Sequence, residues 1–397
     1  MSPIPIQDPH LSLAGRHRRL LALAVLGLLA GPTLASGPAE ARRPKPRELG
    51  YTMTLGGNQF RIWGARPTGI MPKGVSVSRD GARVFVTNFG RRRGANLDVY
   101  DAKTLEHQKS VDYEGNSIES LSSPDGKTLY VTNLYGFLVQ ALDTSTWALR
   151  WSVRVGRFPK MLAISPDGRD LYVSSWESGT VSRLRAATGK IEVQSPKVGP
   201  HPRGLALHPK GNLLYVALTG GKEVLALRSD TLAEDHRIRT CGLPRHLAIS
   251  GDGSRLYVSC IGGSMLQVVD TASRKVTRAV HIGAGPRTLA LSRDERFVYV
   301  AAYAGHGLTV VDTSTWKKKT LDLDLVKSSG VAVSPDDRFI YVTGWCTKDL
   351  WAVERLPPGT SPGPLGRAVL GRHRLPRDPK TAWRLDCPRP APRPRAP

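Results

Sequence analysis

Seven copies of an aromatic–Val pair, about 42 residues apart and each following a short aliphatic segment and a tight turn, predict an all-β chain. The predicted fold is a seven-bladed β-propeller of four-stranded antiparallel blades, closed by an N-terminal strand. The pairs are Phe85-Val86, Tyr130-Val131, Tyr172-Val173, Tyr215-Val216, Tyr257-Val258, Tyr299-Val300 and Tyr341-Val342, with steps of 45, 42, 43, 42, 42 and 42 residues. One unit of this kind cannot bury its faces alone, and ring closure covers the ends that a linear array would expose. Composition agrees: 40 Gly and 30 Pro in 397 residues favour turns over long helices.

The elements of each copy follow in order. The first strand opens at Pro72, Ser117, Pro159, Pro202, Pro244, Pro286 or Ser328 and alternates aliphatic with small residues, as in Leu162-Ala163-Ile164-Ser165. Next comes a turn such as Pro166-Asp167-Gly168, where Pro presets φ and Gly accepts a positive φ. The second strand carries the aromatic–Val pair. A third, such as Leu308-Thr309-Val310-Val311-Asp312, leads through Thr313-Ser314-Thr315-Trp316 into the fourth. The last copy supplies three strands, ending near Leu350-Trp351-Ala352-Val353. Two strand-like segments before the first copy, 51–55 and 60–63, have no blade of their own. They are expected to donate the missing fourth strand, with Ala368-Val369-Leu370 as the rival closer.

The net charge is +24, and its location matters more than its size. Arg16, Arg18 and Arg19 precede an apolar run from Leu20 to Ala30 and then small residues, the pattern of a secretory signal. That run is shorter than the roughly 20 residues of a membrane span, so no transmembrane segment is expected. Residues 357–397 hold eleven prolines and end in alternating Pro and Arg, the composition of extended, solvated chain. The expected organisation is therefore signal peptide 1–41, linker 42–50, propeller 51–356 and a Pro/Arg-rich disordered tail 357–397. Residues 50–354 retain +12. Export to the periplasm, the cell surface or the medium, together with the absence of a base-reading element, excludes nucleic acid as the partner.

Tyr130-Val131-Thr132-Asn133, Tyr341-Val342-Thr343 and the turn Ser165-Pro166-Asp167-Gly168 give the chain a resemblance to the YVTN-repeat β-propellers of bacterial surface-layer and secreted proteins. The resemblance covers residues 51–354 and implies seven blades. Related propellers include lactonases, antibiotic-cleaving lyases and modules without known activity, and no catalytic motif of theirs carries over residue by residue.

Stacking the copies shows which residues share a place. The slot after the blade-opening residue holds Lys73, Lys160, Arg203, Arg245 and Arg287, with Ile118 and Ser329 in the other two blades. First strands converge on the propeller axis, so inward-pointing cations would ring one mouth of the channel and attract anions. The alternative is that they lean outward or pair with acids such as Glu119. Phe89, Tyr135, Trp176, Tyr303 and Trp345 follow the second strands on the same face, where aromatic stacking beside charge suits a sugar, an anionic glycan or an aromatic acid. Packing of blade edges is the plainer role. His201, His246 and His281 approach that mouth and are candidate general bases. No His-Glu-x-x-His, Gly-x-Ser-x-Gly or Cys-x-x-Cys motif occurs, and no metal or cofactor is implied. Cys241 and Cys260 flank a first and second strand and fit a disulfide, and Cys346 is placed to pair with Cys387.

The sequence thus points to a secreted, monomeric binding module for an anionic or carbohydrate ligand, or a partner protein, at a cationic mouth. Trp176 and Trp345 are its expected aromatic contacts. A lactonase-like hydrolase or lyase at the same mouth and a structural envelope protein are the alternatives.

Overall fold

In the computed structural model, residues 52–360 are described apart from 91–95, 114, 284 and 324, and the described chain is strand and turn throughout. Strands β1 (Thr52–Leu55) and β2 (Asn58–Pro67) precede the ring. Blade one runs β3 (Pro72–Val77), β4 (Arg83–Asn88), β5 (Leu97–Asp101) and β6 (His107–Val111) as one antiparallel sheet, and the next five blades repeat that order. The inner strands of blades two to seven are β7 (Ser117–Ser122), β11 (Pro159–Ile164), β15 (Pro202–Leu207), β19 (Pro244–Ile249), β23 (Pro286–Leu291) and β27 (Ser328–Val333). Among the described residues no helix is long and apolar enough to cross a membrane.

The aromatic–Val pair forms the joint between blades. Tyr130 of blade two packs on Leu171 and Val173 of blade three, and Tyr215 of blade four on Leu256 and Val258 of blade five. Tyr341 of blade seven packs on Val84 and Val86 of blade one, so the same contact closes the circle. The aromatic ring faces the next blade while the Val after it, on the opposite face of the pleat, meets the previous one: Val131 lies against Phe85. Both faces of the second strand are therefore dry, which is why its sequence reads apolar without alternation. The Tyr or Phe at this place is buried in every blade, each worth roughly 2–3 kcal/mol relative to exposure. Fourth strands are wet by contrast, and His107–Val111 exposes all but its last residue.

The N-terminal segment closes blade seven. That sheet has the order β1-β2-β29-β28-β27, with β28 (Phe339–Gly344) and β29 (Asp349–Leu356). β2 is its fourth strand, paired antiparallel from Gln59↔Leu356 to Pro67↔Asp349. β1 adds a fifth, joined to β2 through Gly56 and Gly57 at φ 55° and 76°. Two consecutive positive φ values are the requirement of a type I′ hairpin, which Gly-Gly meets without strain. The rival closer, Ala368-Val369-Leu370, lies outside the described residues. A charged triad fastens the closure: the fully buried Glu354 on β29 takes the buried Arg61 of β2 at 2.6 Å and the half-exposed Arg338 at 2.8 Å.

The turns between first and second strands follow a second rule. Ser165 Oγ donates to Asp167 Oδ1 at 2.5 Å, Asp167 accepts the Arg169 N–H, and Gly168 sits at φ 73°, packed on Pro124 of the preceding blade. Blades six and seven put Glu295 and Asp337 at that left-handed position, φ 56° and 60°. There the preceding turn has no Pro. Glu295 accepts the Gly251 N–H, and Asp337 accepts the Arg293 and Asp294 N–H groups at 2.6 and 2.9 Å. A carboxylate meets the amide that proline would have removed, which offsets the left-handed strain.

Candidate functional site: the cationic channel

Each inner strand begins with a β-bulge. In blade one Pro72 pairs with Asn88 but Val75 with Val86, so the inner strand carries one residue more than its partner, and the same shift recurs in all seven blades. Bulges re-aim side chains, and here they turn the slot after the opening residue towards the axis. The hydroxyl opposite the bulge holds it: Thr87 Oγ1 accepts the Gly74 N–H at 2.8 Å and donates to Ile118 O of the next blade at 3.0 Å. Thr132, Ser174 and Ser259 donate in the same way to Lys160 O, Arg203 O and Arg287 O, at 3.2, 2.7 and 2.9 Å. This Ser or Thr directly follows the aromatic–Val pair. Its role in locking adjacent inner strands together was not anticipated from the sequence, although its recurrence in five blades was there to be read.

The five slot cations converge. Lys73 is held well below the ordinary lysine range by burial first and then by Arg287, Arg203, Arg245 and Lys160. Those partners belong to blades six, four, five and three, so the repulsion runs across and around the channel and fixes the side chains as inward-facing. Arg203 is 6% exposed, and burial followed by Arg287 lowers its pKa to about 9, partly offset by Glu119. Its Nε has no hydrogen-bond partner. In the two remaining blades, Ile118 is buried in apolar contacts and Ser329 Oγ donates to Pro72 O at 2.9 Å.

Glu119 stands inside this ring. Burial raises its pKa to about 7 against the pull of Arg203, the Ser120 N–H and Lys73. Its carboxylate fits because residue 74 is Gly: a Cβ there would lie 2.8 Å from Glu119 Oε1 and from Ile118 O. His246 also lies in the channel, where burial, Arg203 and Arg245 depress its pKa to about 3. It is therefore neutral, a feeble base but a ready hydrogen-bond partner. Among the described residues no group of three His, Cys, Asp or Glu side chains is placed to hold a metal ion.

The aromatic residues lie against the slot cations. Lys73 Nζ lies 4.2 Å from the Trp345 ring centroid, Lys160 Nζ 5.3 Å from Trp176, and the Arg287 guanidinium 3.3 Å from Tyr303. Their faces steady the cations. Blade two fills the equivalent place with Leu134, not Tyr135: the N–H of Phe89, Leu134, Trp176, Tyr303 and Trp345 each bonds the residue before an inner strand. His201 reaches the mouth, at φ 54°, stacked on Trp176 at 4.6 Å and 15°. His281 does not. It is the exposed last residue of β22 (Lys275–His281), the outermost strand of blade five, roughly 14 Å of sheet from the inner strand. It leaves the site because the fourth strand of a blade lies farthest from the axis.

Cys241 and Cys260 form a disulfide with a Cα–Cα distance of 6.0 Å, tying the approach to β19 to the end of β20 (Arg255–Cys260) beside Arg245. Cys346 is also disulfide-bonded, and Cys387 lies outside the described residues. On the opposite face, a cavity of about 600 Å³ is lined by Asp294, Asp337, Arg338 and Arg355 among others. Arg355 pairs there with Asp337 of its own blade and with Asp294 of blade six, so it ties blades six and seven together, while Arg338 pairs with Glu354 within blade seven.

Fold and channel define a seven-bladed β-propeller, and comparison with known proteins agrees at that level. Residues 109–272 match the model of a domain of unknown function (DUF7165). The match begins within β6 and ends after β21 (Met265–Asp270), cutting two blades as a repeat array allows. A seven-bladed beta-propeller protein of Mycobacterium tuberculosis is 30% identical over 139 residues, 33% of this chain and 34% of that protein. Antigen Lp49 of Leptospira interrogans is 27% identical over 111 residues, 26% of this chain and 24% of the antigen. The chain thus matches a quarter to a third of these relatives' length. Among solved structures, the hydrazine synthase of Kuenenia stuttgartiensis superposes with a TM-score of 0.64 at 18% identity, covering 72% of this chain and 95% of that one; the likeness is one of fold.

Proposed function

We propose that this propeller is an exported binding module that takes an anionic ligand, a charged glycan or the acidic group of a partner protein, at the mouth of its central channel. The observation that carries the reading is the inward ring of Lys73, Lys160, Arg203, Arg245 and Arg287, drawn together from five blades, with Arg203 and Arg245 buried. Burying like charges together is unfavourable unless something from outside neutralises them. The basic, apolar leader and the disulfide beside the site support export to an oxidising compartment. The test compares thermal stability in millimolar sulfate with that in sodium chloride of equal ionic strength. A sulfate-specific rise that disappears in Lys160→Gln, Arg203→Gln or Arg245→Gln supports the reading, and an equal rise in all four proteins defeats it.

An enzymatic reading now rests on Glu119 rather than on a histidine. A group with a pKa of about 7 in a cationic channel is matched to acid–base work at neutral pH, whereas His246 is too weak a base. Lactone or ester turnover that breaks near pH 7 and vanishes in Glu119→Gln would promote it.

A further inference from the structure

The ring is not simply positive. Glu119 places its carboxylate over Gly74, where it lies in the field of Arg203 from β15 and Lys73 from β3. Lys160 on β11, and Arg245, His246 and Arg287 beyond them, complete the charged wall. An incoming anion therefore competes with a carboxylate already in place. A monovalent anion that replaced the Glu119 charge would leave the channel no better neutralised than before. An anion with two or more charges close together gains, because it reaches Arg203 and the cations across the axis at once. Arginines favour such oxyanions through paired N–H donors, and Arg203 Nε is a buried donor without a partner.

We propose that the channel selects compact anions carrying two or more negative charges over monovalent ones, with Glu119 as a resident counter-anion that the ligand displaces by driving it to its protonated form. The proton comes from solvent and forms the Glu119 O–H bond. This proposal rests on the anion-binding reading above. With Glu119 titrating at about 7, a ligand that requires the protonated carboxyl loses roughly tenfold in affinity from pH 6 to pH 8.

The test is isothermal titration of the full chain at pH 6, 7 and 8, at constant ionic strength, in two buffers of different ionisation enthalpy. The probes are methanesulfonate, sulfate, ethane-1,2-disulfonate and oxalate, whose charges stay fixed over that range; oxalate separates carboxylate from sulfate-type ligands. The expected result is at least tenfold tighter binding of a divalent probe than of methanesulfonate. It should come with a tenfold fall in affinity from pH 6 to 8 and uptake of close to one proton at pH 8. Glu119→Gln, nearly isosteric, should bind the divalent probes at pH 8 as tightly as the native chain does at pH 6 and take up about one proton fewer than the native chain at pH 8. Equal affinity for mono- and divalent probes, or pH-independent binding without proton uptake in the native chain, overturns the proposal and leaves anion binding standing. No binding of any probe overturns both.

Discussion

Replacing Arg203 by Met should make the protein more stable. The guanidinium is buried, and its lowered proton affinity, about 9, reports surroundings that disfavour its charge. At 1.36 kcal/mol per pH unit that is on the order of 5 kcal/mol at neutral pH. Burial is the larger cause, repulsion from Arg287 the next, and Glu119 returns part. Methionine keeps most of the stem's volume and leaves the Ser174 Oγ bond to the Arg203 carbonyl in place. It forfeits a distant contact with Trp176, 6.0 Å from guanidinium carbon to ring centroid, and the solvation the channel still provides. A net gain of about 2 kcal/mol is expected, or roughly 3 °C in melting temperature for a domain of this size. Calorimetry or denaturant melts in low-salt chloride buffer measure it, and the sulfate-specific stabilisation should shrink in the same variant. A variant melting more than about 2 °C below the native protein would refute the reasoning, because Arg203 would then be a satisfied structural residue and the ring would not be under electrostatic strain.

Three further outcomes follow from the same contacts. Glu354→Gln strips the charge facing Arg61 and Arg338 at the ring closure and should cost about 3 kcal/mol, read from the denaturant midpoint with an unchanged slope; a loss under 1 kcal/mol would show the triad to be dispensable. Asp337→Gly relieves a left-handed residue but leaves the Arg293 and Asp294 amides without an acceptor, so the consensus-like change should destabilise by about 1–2 kcal/mol, and any gain in midpoint would contradict the turn rule. Glu119 binds its proton more tightly folded than unfolded, so its contribution is full below pH 4.5 and declines as pH rises to about 7, by roughly 3 kcal/mol in all; unfolding free energies of the native chain and Glu119→Gln should diverge across that window, and parallel curves would place the carboxyl in water.

Local chemistry made the propeller legible. The aromatic–Val pair recurs because each blade needs one large ring to cover the next, and a fixed period along the chain becomes a fixed contact around the axis. The closing role of the segment before the first copy was readable too, but the Gly56-Gly57 hairpin that makes a fourth and a fifth strand of it emerges only in the structure. The slot of Lys73 and its equivalents was legible as a slot, but not its direction. Inward and outward alternate every residue along a strand, and one inserted bulge residue reverses the sense of everything before it. Glu119 was harder still. Its pKa is raised by burial that only the assembled ring supplies, against the pull of Arg203 two blades on and Lys73 one blade back, 84 and 46 residues away in sequence. His281 was placed at the mouth because it ends a strand on the correct side, a reading that ignored its distance from the axis.

A fold that gathers five cations beside one carboxyl must hold them there by other means. The seven blade joints do this, each a dry cluster that keeps its aromatic residue buried regardless of what the inner strands carry. The Cys241–Cys260 bridge adds a cross-link of 19 residues' separation next to Arg245, worth about 3 kcal/mol in the chain-entropy account. The bulge hydroxyls then fix where the slot residues point, since Thr87, Thr132, Ser174 and Ser259 bond backbone and leave the slot side chain unconstrained in identity. Ile118 and Ser329 show that constraint and identity are separate: both occupy the slot, and the ring closes around them. The cations are therefore not needed to build the propeller. Their convergence works against stability, and a strained feature that the scaffold does not require is the reason the proposal of an anionic ligand is centred on the channel.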